Sequence, residues 1–246
     1  MDPLYKSLRG LCTRGEIAFA LAKSALEHRR VEQAFRRRAS SALGGRDGLD
    51  FPYLRLPPLQ YFQRNFFSIM FLSIYEVIGI PKERRLSYGM IMHAVRGVVT
   101  ASDNILDGQK NGGVRLHLDG GHVLPNILLI LLHDGIAHQV ISEVARDDAV
   151  REHGWGALVK ALHDIAREEC SEEHAVETVL SPEDVLSTIH EFRGGRLFQL
   201  AFAVPLANEP ELVPQIEEAM RGVKLIGLGL QTLDDVTDFA EDIESR

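Results

Sequence analysis

The sequence predicts an all-α fold, a single-domain bundle of long helices. Strand signals are nearly absent: there is no long alternation of polar and apolar residues, and no Asn-Gly or Asp-Gly hairpin between β-branched runs. Long segments instead carry apolar residues at helical spacing. Glycine and proline separate these segments, which gives the ends of the predicted helices.

The N-terminal half contains three predicted helices. The first spans roughly Glu16 to Leu43 and stops at Gly44-Gly45. The second starts near Pro57-Pro58 and ends at the Gly-Ile-Pro sequence that closes with Pro81, and the third runs from about Arg85 to Asp107. A loop with five glycines, from Gly108 to His122, is expected to follow.

Four further helices are predicted in the C-terminal half. One runs from about Val123 past Glu143, and the next covers about Trp155 to Val179. The segment Ser181 to Asp184 is a helix start, with serine as N-cap, proline at the first helical position and an acid at the third. This helix ends before Asn208, and the last begins near Pro210 and reaches the C-terminus.

Composition narrows the functional classes. The 246 residues are 45% hydrophobic, which suffices for one large core, and we find no linker-like stretch, so residues 1–246 are expected to form one domain. A net charge of −8 argues against a general nucleic-acid binder. The two cysteines, Cys12 and Cys170, fit neither a metal site nor a disulfide framework, so we expect a cytoplasmic protein.

No transmembrane segment is predicted. The most apolar runs, Phe66 to Ile80 and Asn126 to Leu132, fall short of the ~20 residues that span a bilayer. Both runs are therefore expected to be core helices.

Two pairs of acids each follow an apolar helix. Asp103 and Asp107 are four residues apart, and so are Asp234 and Asp238, which places both carboxylates of each pair on one helix face. Like charges at this spacing repel, so the pattern indicates a shared cation. Oxygen ligands without histidine or cysteine favour Mg²⁺, which proteins often hold together with substrate phosphates. The sequence thus predicts a magnesium site and a diphosphate substrate, provided that the two helix ends face each other.

Several motifs resemble those of the class I isoprenoid synthases, which include the trans-prenyl diphosphate synthases and the squalene/phytoene synthases. Asp103 to Asp107 is similar to the first aspartate-rich motif, and Gly227 to Asp238 resembles the second motif with its glycine-rich helix and glutamine. Arg193 to Phe198 stands where the family has a break in a helix, and Leu131 to Ala137 resembles a helix with a Gly-Asp pair. The likeness runs in the expected order from about Arg55 to the C-terminus.

The resemblance implies a helical bundle around a central cavity, in which Mg²⁺ and basic residues stabilise the diphosphate leaving group of an allylic prenyl substrate. The apolar cavity would keep water from the carbocation, and a homodimer is also implied. The implied metal ligands, which are also the catalytic residues, are Asp103, Asp107, Asp234, Asp235 and Asp238. The implied substrate-binding residues are Arg55, Lys110, Arg115, Arg193, Arg196, Gln231 and Asn104.

Departures from the family pattern leave the reaction open. Asn104 replaces the second acid of the first motif, the twin arginines after that motif are missing, and Arg55 alone remains of the segment that binds isopentenyl diphosphate. The chain also stops at Arg246, where family members usually continue, so we expect either a truncated chain or a shortened architecture. Three functions therefore stay open: a prenyltransferase, a terpene cyclase or head-to-head synthase, and a diphosphate-binding or interaction protein without turnover.

Two further features have alternative interpretations. Gly194-Gly195 inside a helix indicates either a packing kink or close approach of the backbone to a ligand. The histidines suggest a metal site, but a di-iron bundle needs Glu-x-x-His motifs. The residues three before His163, His174 and His190 are lysine, serine and serine, so the sequence does not predict that site.

Overall fold

A computed structural model describes the backbone of residues 3–44, 48–106, 108, 113–118, 121–174 and 181–244. Within these, it describes the side chains of residues 15–44, 48–106, 108, 113–118, 121–168 and 181–237. The chain divides into two compact units, Met1–Val144 and Ala145–Arg246, called here the N-terminal and the C-terminal unit. The single-domain organisation stays a prediction. The all-α class is confirmed, because helix accounts for nearly all of the regular structure described.

The N-terminal unit consists of long helices and one very short ribbon. Its helices are α1 (Pro3–Ala42), α2 (Pro58–Arg64), α3 (Phe66–Val77), α4 (Lys82–Leu106) and α5 (Val123–Val144). A turn of 3-10 helix spans Pro52–Arg55. Strand β1 (Leu49–Asp50) pairs antiparallel with β2 (Arg115–Leu116), and Asp50 lies opposite Arg115.

The C-terminal unit is built from α6 (Asp148–His174) and α10 (Val213–Glu244) with irregular helix between them. Short α7 (Pro182–Val185) leads directly into a π-helix, Leu186–Arg196. The chain then passes through α8 (Leu197–Gln199), a 3-10 turn at Leu200–Phe202, α9 (Ala203–Asn208) and a second 3-10 turn at Pro210–Leu212. Ser181 caps α7 as predicted, since its Oγ accepts a hydrogen bond from the Asp184 amide at 3.1 Å.

The core of the N-terminal unit forms where α1, α3 and α5 pack against α4. Phe35, Tyr75 and Tyr88 are among its largest fully buried side chains. Gly89 allows α1 and α4 to approach closely, because a Cβ atom there would stand 2.7 Å from Val31 Cγ2. The α1–α4 contact also holds a buried ion pair, in which Arg85 Nε donates to Glu27 Oε1 at 3.0 Å.

The second predicted helix is interrupted at Asn65. Its backbone (φ −118°, ψ 18°) leaves the helical region and separates α2 from α3. The buried Asn65 side chain donates to the Tyr61 carbonyl at 3.1 Å and accepts from Arg96 at 2.9 Å. A side-chain amide that bonds the backbone in this way competes with the helix, which explains the break.

Other differences from the predicted elements lie at ends and in loops. Helix α1 begins at Pro3, well before the predicted start at Glu16. Apolar residues recur at helical spacing before Glu16 as well, but the two glycines in that stretch have low helix propensity and obscured the helical pattern. The glycine-rich loop contributes β2, which is too short to show an alternating pattern. Helix α6 begins at Asp148 and is described to His174, and the predicted end at Val179 lies outside the described residues.

Helix α5 is long and apolar enough to cross a membrane by length and composition, which the run Asn126 to Leu132 alone did not indicate. It has 22 residues, and its most apolar window has a mean hydropathy of 1.4 and is 33% buried. Core helices of soluble proteins pass the same criteria. The helix packs on α4 and carries the buried polar residues Asn126 and His133. Among the described residues, α5 is the one helix that meets the criteria.

Candidate functional site

The second acid cluster lies on α10, within the helix rather than at its end. Asp234 and Asp235 are both exposed, and α10 continues to Glu244. Asp238 belongs to the same helix, but its side chain lies outside the described residues. The side chains of Asp234 and Asp235 are thus accessible to a cation from solvent.

The π-helix packs against α10 with backbone touching backbone. A Cβ atom on Gly227 would stand 2.3 Å from the Gly194 carbonyl oxygen, and a Cβ atom on Gly194 would stand 2.3 Å from the Gly227 carbonyl oxygen. Both positions therefore require glycine. The sequence indicated either a packing kink or a close approach of the backbone to a ligand at Gly194-Gly195. In the structure, the backbone at Gly194 approaches the neighbouring helix α10. Because π-helical turns are rare and often occur at functional sites, the stretch from Leu186 to Arg196 marks this helix pair as a candidate site.

One carboxylate of the cluster is held by a hydrogen-bond network. His190 Nε2 lies 2.7 Å from Asp235 Oδ2, and Gln231 Nε2 donates to Asp235 Oδ1 at 3.0 Å. The Thr232 hydroxyl lies 3.1 Å from the other ring nitrogen of His190. The His190 side chain is only 5% exposed, whereas that of Asp235 is 48% exposed. The network therefore orients Asp235 from the buried side and leaves its solvent side open.

The predicted basic residues of the C-terminal unit lie on the π-helix. Arg196 is exposed and its Nε lies 3.1 Å from Glu191 Oε1, while Lys224 Nζ lies 2.7 Å from Glu191 Oε2. Glu191 thus joins a cation of the π-helix to a cation of α10. Arg193 is half-buried on the same helix. The structure brings Arg193 and Arg196 onto the helix that contacts the acid-bearing α10.

A groove of about 550 Å³ runs between α6 and the π-helix. Lys160, Arg167 and Arg196 are its cationic lining residues, and Asp164 and Glu168 are its acids. Lys160 is already paired with Asp164 at 2.8 Å. Neither Asp234 nor Asp235 lines the groove, so the groove does not open onto the acid cluster.

The first acid motif lies in the N-terminal unit, where its residues face different ways. Asp103 is exposed in the last turn of α4, whereas Asn104 is buried and its amide donates to Asn126 Oδ1 of α5 at 3.3 Å. Asn104 thus joins α4 to α5 through its side chain. Asp107 and Lys110 lie outside the described residues. The predicted apposition of Asp103 and Asp107 to the acids of α10 stays a prediction.

The two remaining basic residues meet at the ribbon. Arg55 donates to Asp50 Oδ1 at 2.5 Å, and Arg115 lies directly opposite Asp50 in the β1–β2 pairing. Both arginines are exposed. The sequence did not predict that Arg55 and Arg115 lie near each other. The two strands that bring them together are two residues long and carry no recognisable pattern.

A cluster of buried histidines was missed at the sequence level. His28, His93 and His133, which come from α1, α4 and α5, are all buried near one another, and Glu32 lies one turn after His28. The spacing of His28 and Glu32 was the available signal, but it carries little information without the third partner on another helix.

Acid should destabilise the N-terminal unit through these histidines. Burial lowers the pKa of His28 to about 3 and lowers the pKa of His93 and of His133. The unfolded chain therefore binds more protons below about pH 6.5, so stability present above that pH is lost as the pH falls. Burial raises the pKa of Glu32, which acts in the opposite sense below that raised value.

We expect a net loss of about 2 kcal/mol in unfolding free energy between pH 7.5 and 5.5. Urea denaturation followed by circular dichroism, with chelator present, measures it. His133→Gln should reduce the pH dependence, because it removes one of the three buried imidazoles. A stability that is flat across this range would contradict the assignment.

Comparisons with known proteins found no relatives. No family model matches the chain, and no curated protein or solved structure matches it.

Proposed function

We propose that this chain is an Mg²⁺-dependent prenyl-diphosphate enzyme that ionises an allylic prenyl diphosphate and transfers the prenyl group. One observation carries the proposal: the π-helix with Arg193 and Arg196 is joined to the acid-bearing α10 at Gly194–Gly227 and again at His190–Asp235. Basic and acidic side chains thus lie on one pair of contacting helices. This is the pairing of charges that a metal–diphosphate complex requires.

The side chains fit Mg²⁺ as the implied metal. Asp234 and Asp235 offer exposed carboxylate oxygens, and His190, the histidine that contacts Asp235, is buried. His190 and Gln231 hold Asp235 from behind, in the manner of the outer partners that orient ligating carboxylates. Under the proposal, Asp103, Asp107 and Asp238 complete the set of metal ligands.

Each group has a defined task in the proposed reaction. Bound Mg²⁺ would supply charge stabilisation to the departing diphosphate. Arg193 and Arg196, with Arg55, Lys110 and Arg115, would bind diphosphate oxygens, and the planar guanidinium groups suit bidentate contacts. Arg196 would exchange Glu191 for the substrate, since both acceptors compete for the same donor atoms.

The ion pair that Arg55 forms with Asp50 favours a second candidate function. Arg55 is the remnant of the predicted isopentenyl diphosphate site, and its guanidinium is already paired with Asp50. A terpene cyclase or a head-to-head synthase ionises an allylic diphosphate without that site. A diphosphate-binding protein without turnover is the remaining outcome.

One assay separates these functions. The full chain is incubated with geranyl or farnesyl diphosphate and Mg²⁺, with and without isopentenyl diphosphate. A longer prenyl diphosphate formed only with isopentenyl diphosphate supports transfer, and diphosphate release without it supports the cyclase-like function. Absence of product in every mixture would overturn the enzyme proposal.

Asp234→Ala should reduce any such turnover by at least about a hundredfold, since loss of an electrostatic contact to the transition state costs that much. The side chain is exposed, so the helical circular dichroism signal should not change. Glu217→Ala is the matched control, because Glu217 is an exposed acid on the same helix. Equal turnover in both variants would contradict the metal assignment.

A further inference from the structure

We propose that the N-terminal unit contains a transition-metal site formed by His28 and Glu32 of α1 and His93 of α4. One ligand atom of each residue lies within 4.8 Å of the ligand atoms of the other two. The three side chains are all buried, with relative exposures of 0%, 2% and 6%. This site is separate from the acids and arginines of the proposed diphosphate chemistry and does not depend on that proposal.

The three residues present polar atoms without hydrogen-bond partners. Among the described residues, His28 Nε2, Glu32 Oε2 and His93 Nδ1 are buried and accept or donate no hydrogen bond. An unsatisfied buried polar group costs about 1–3 kcal/mol, and native proteins contain few of them. Three in one cluster, each on a residue that can ligate a metal, indicate a partner that protein atoms do not supply.

Tyr61 determines which ring nitrogen of His28 carries the proton. The Tyr61 hydroxyl lies 2.6 Å from His28 Nδ1 and also hydrogen-bonds the Glu32 side chain. An ionised carboxylate only accepts, so the hydroxyl donates to Glu32 and its oxygen accepts from His28 Nδ1–H. The proton on Nδ1 leaves Nε2 as a bare lone pair. Metal-binding histidines typically donate their second nitrogen to a fixed acceptor in this way.

The protonation states suit a metal ion. Burial keeps the pKa of His28 and of His93 below the ordinary value, so both imidazoles are neutral near pH 7 and can ligate. Burial raises the pKa of Glu32, so binding would displace any proton held there. The nearby Arg96 guanidinium opposes a cation, but its hydrogen bonds go to Asn65 Oδ1 and the Arg64 carbonyl.

Two imidazoles and one carboxylate identify the class of ion. Such a set suits Zn²⁺ or Fe²⁺ and is unlike the all-oxygen sites of Mg²⁺. With metal bonds of about 2.0–2.2 Å at tetrahedral angles, ligand atoms lie about 3.4 Å apart, so closure from separations of up to 4.8 Å needs inward shifts of up to about 0.8 Å for each ligand atom. The ion would tie α1 to α4 inside the core. We therefore infer a structural role for it.

His133 provides a matched control. Its Nδ1 donates to the Leu129 carbonyl at 2.7 Å, so its Nε2 is also a buried lone pair. Phe35 stacks on His133 at 5.0 Å between ring centroids and contacts His93 at 4.6 Å. His133 does not belong to the three-residue group. His133 is a buried imidazole like His28 and His93, but it does not meet the distance criterion that groups His28, Glu32 and His93.

Metal titration of the chelator-treated full chain tests the site. Zn²⁺ should bind with one tight equivalent per chain by calorimetry, and Co²⁺ should give visible absorption bands from nitrogen and oxygen coordination. At a hundredfold excess of free Zn²⁺ over Kd, the melting temperature should rise by about 5–10 °C. His93→Gln and Glu32→Gln should each weaken the tight equivalent by at least about tenfold, and so should Tyr61→Phe, which removes only the orienting hydroxyl.

His133→Gln and Asp234→Ala should both retain the tight equivalent. Retention in Asp234→Ala separates this site from the proposed diphosphate site. Binding that is equal in all variants, or absent from the folded wild-type chain, would overturn the proposal. If His93→Gln does not fold, Tyr61→Phe provides the test. Unchanged Zn²⁺ affinity and an unchanged Co²⁺ spectrum in Tyr61→Phe would overturn the proposal.

Discussion

Replacement of Glu27 by leucine is expected to destabilise the N-terminal unit by about 3–5 kcal/mol. Arg85 donates to both carboxylate oxygens of Glu27, at 3.0 and 3.3 Å, and the two side chains are only about one-tenth exposed. Without Glu27, the guanidinium stays buried and keeps only its hydrogen bond to the Ile80 carbonyl. An uncompensated buried charge is among the largest single costs available to a point substitution.

The double variant Glu27→Leu with Arg85→Met should lose much less stability than either single variant. Removal of both charges ends the desolvation cost, and the apolar replacements restore packing between α1 and α4. Hydrogen exchange in α1 and α4 measures the opening free energy of this unit. Additive losses in the double variant would contradict the ion-pair interpretation.

The Arg38–Glu143 pair is a matched control for the effect of burial. It is also bidentate and also joins two helices of the N-terminal unit, with distances of 2.8 and 2.6 Å. The Glu143 side chain is 47% exposed, so solvent screens the pair. Glu143→Gln should therefore cost less than about 1 kcal/mol.

The second large effect is expected from Gly227→Ala, which should destabilise the C-terminal unit by about 3 kcal/mol. The new Cβ would stand 2.3 Å from the Gly194 carbonyl oxygen and 2.6 Å from its carbon. Both are backbone atoms of the π-helix, so no rotamer change relieves the overlap. The two helices would have to separate, which would also pull His190 away from Asp235.

Gly229→Ala is the matched control on the same helix. A Cβ atom there has nothing within 4 Å, so the substitution should stabilise α10 by about 0.5–1 kcal/mol through helix propensity. Trp155 is the single tryptophan of the chain and lies in α6, so its fluorescence during urea unfolding reports on the C-terminal unit. Equal midpoints for the two variants would show that the helices can part without cost.

Local sequence signals determined the fold class and much of the helix order. Helical periodicity acts over a few turns and needs no partner, so it located α4, α5 and α10. The capping signal at Ser181 was equally local and was confirmed in its hydrogen bond to the Asp184 amide. The break at Asn65 was not visible in this way, because helical periodicity does not show whether an asparagine side chain bonds the backbone, and the partner of its amide oxygen, Arg96, lies on another helix.

The sequence by itself thus determined that the protein is helical, where most helices lie, and that acids cluster at Asp103 and on α10. The tertiary structure alone decided what those residues contact. It placed Asn104 inside against Asn126, joined Asp235 to His190, and gathered His28, Glu32 and His93 from two helices into one buried group. The physical reason is that periodicity encodes which face of a helix is apolar, whereas the partner of a polar side chain depends on how separate helices pack.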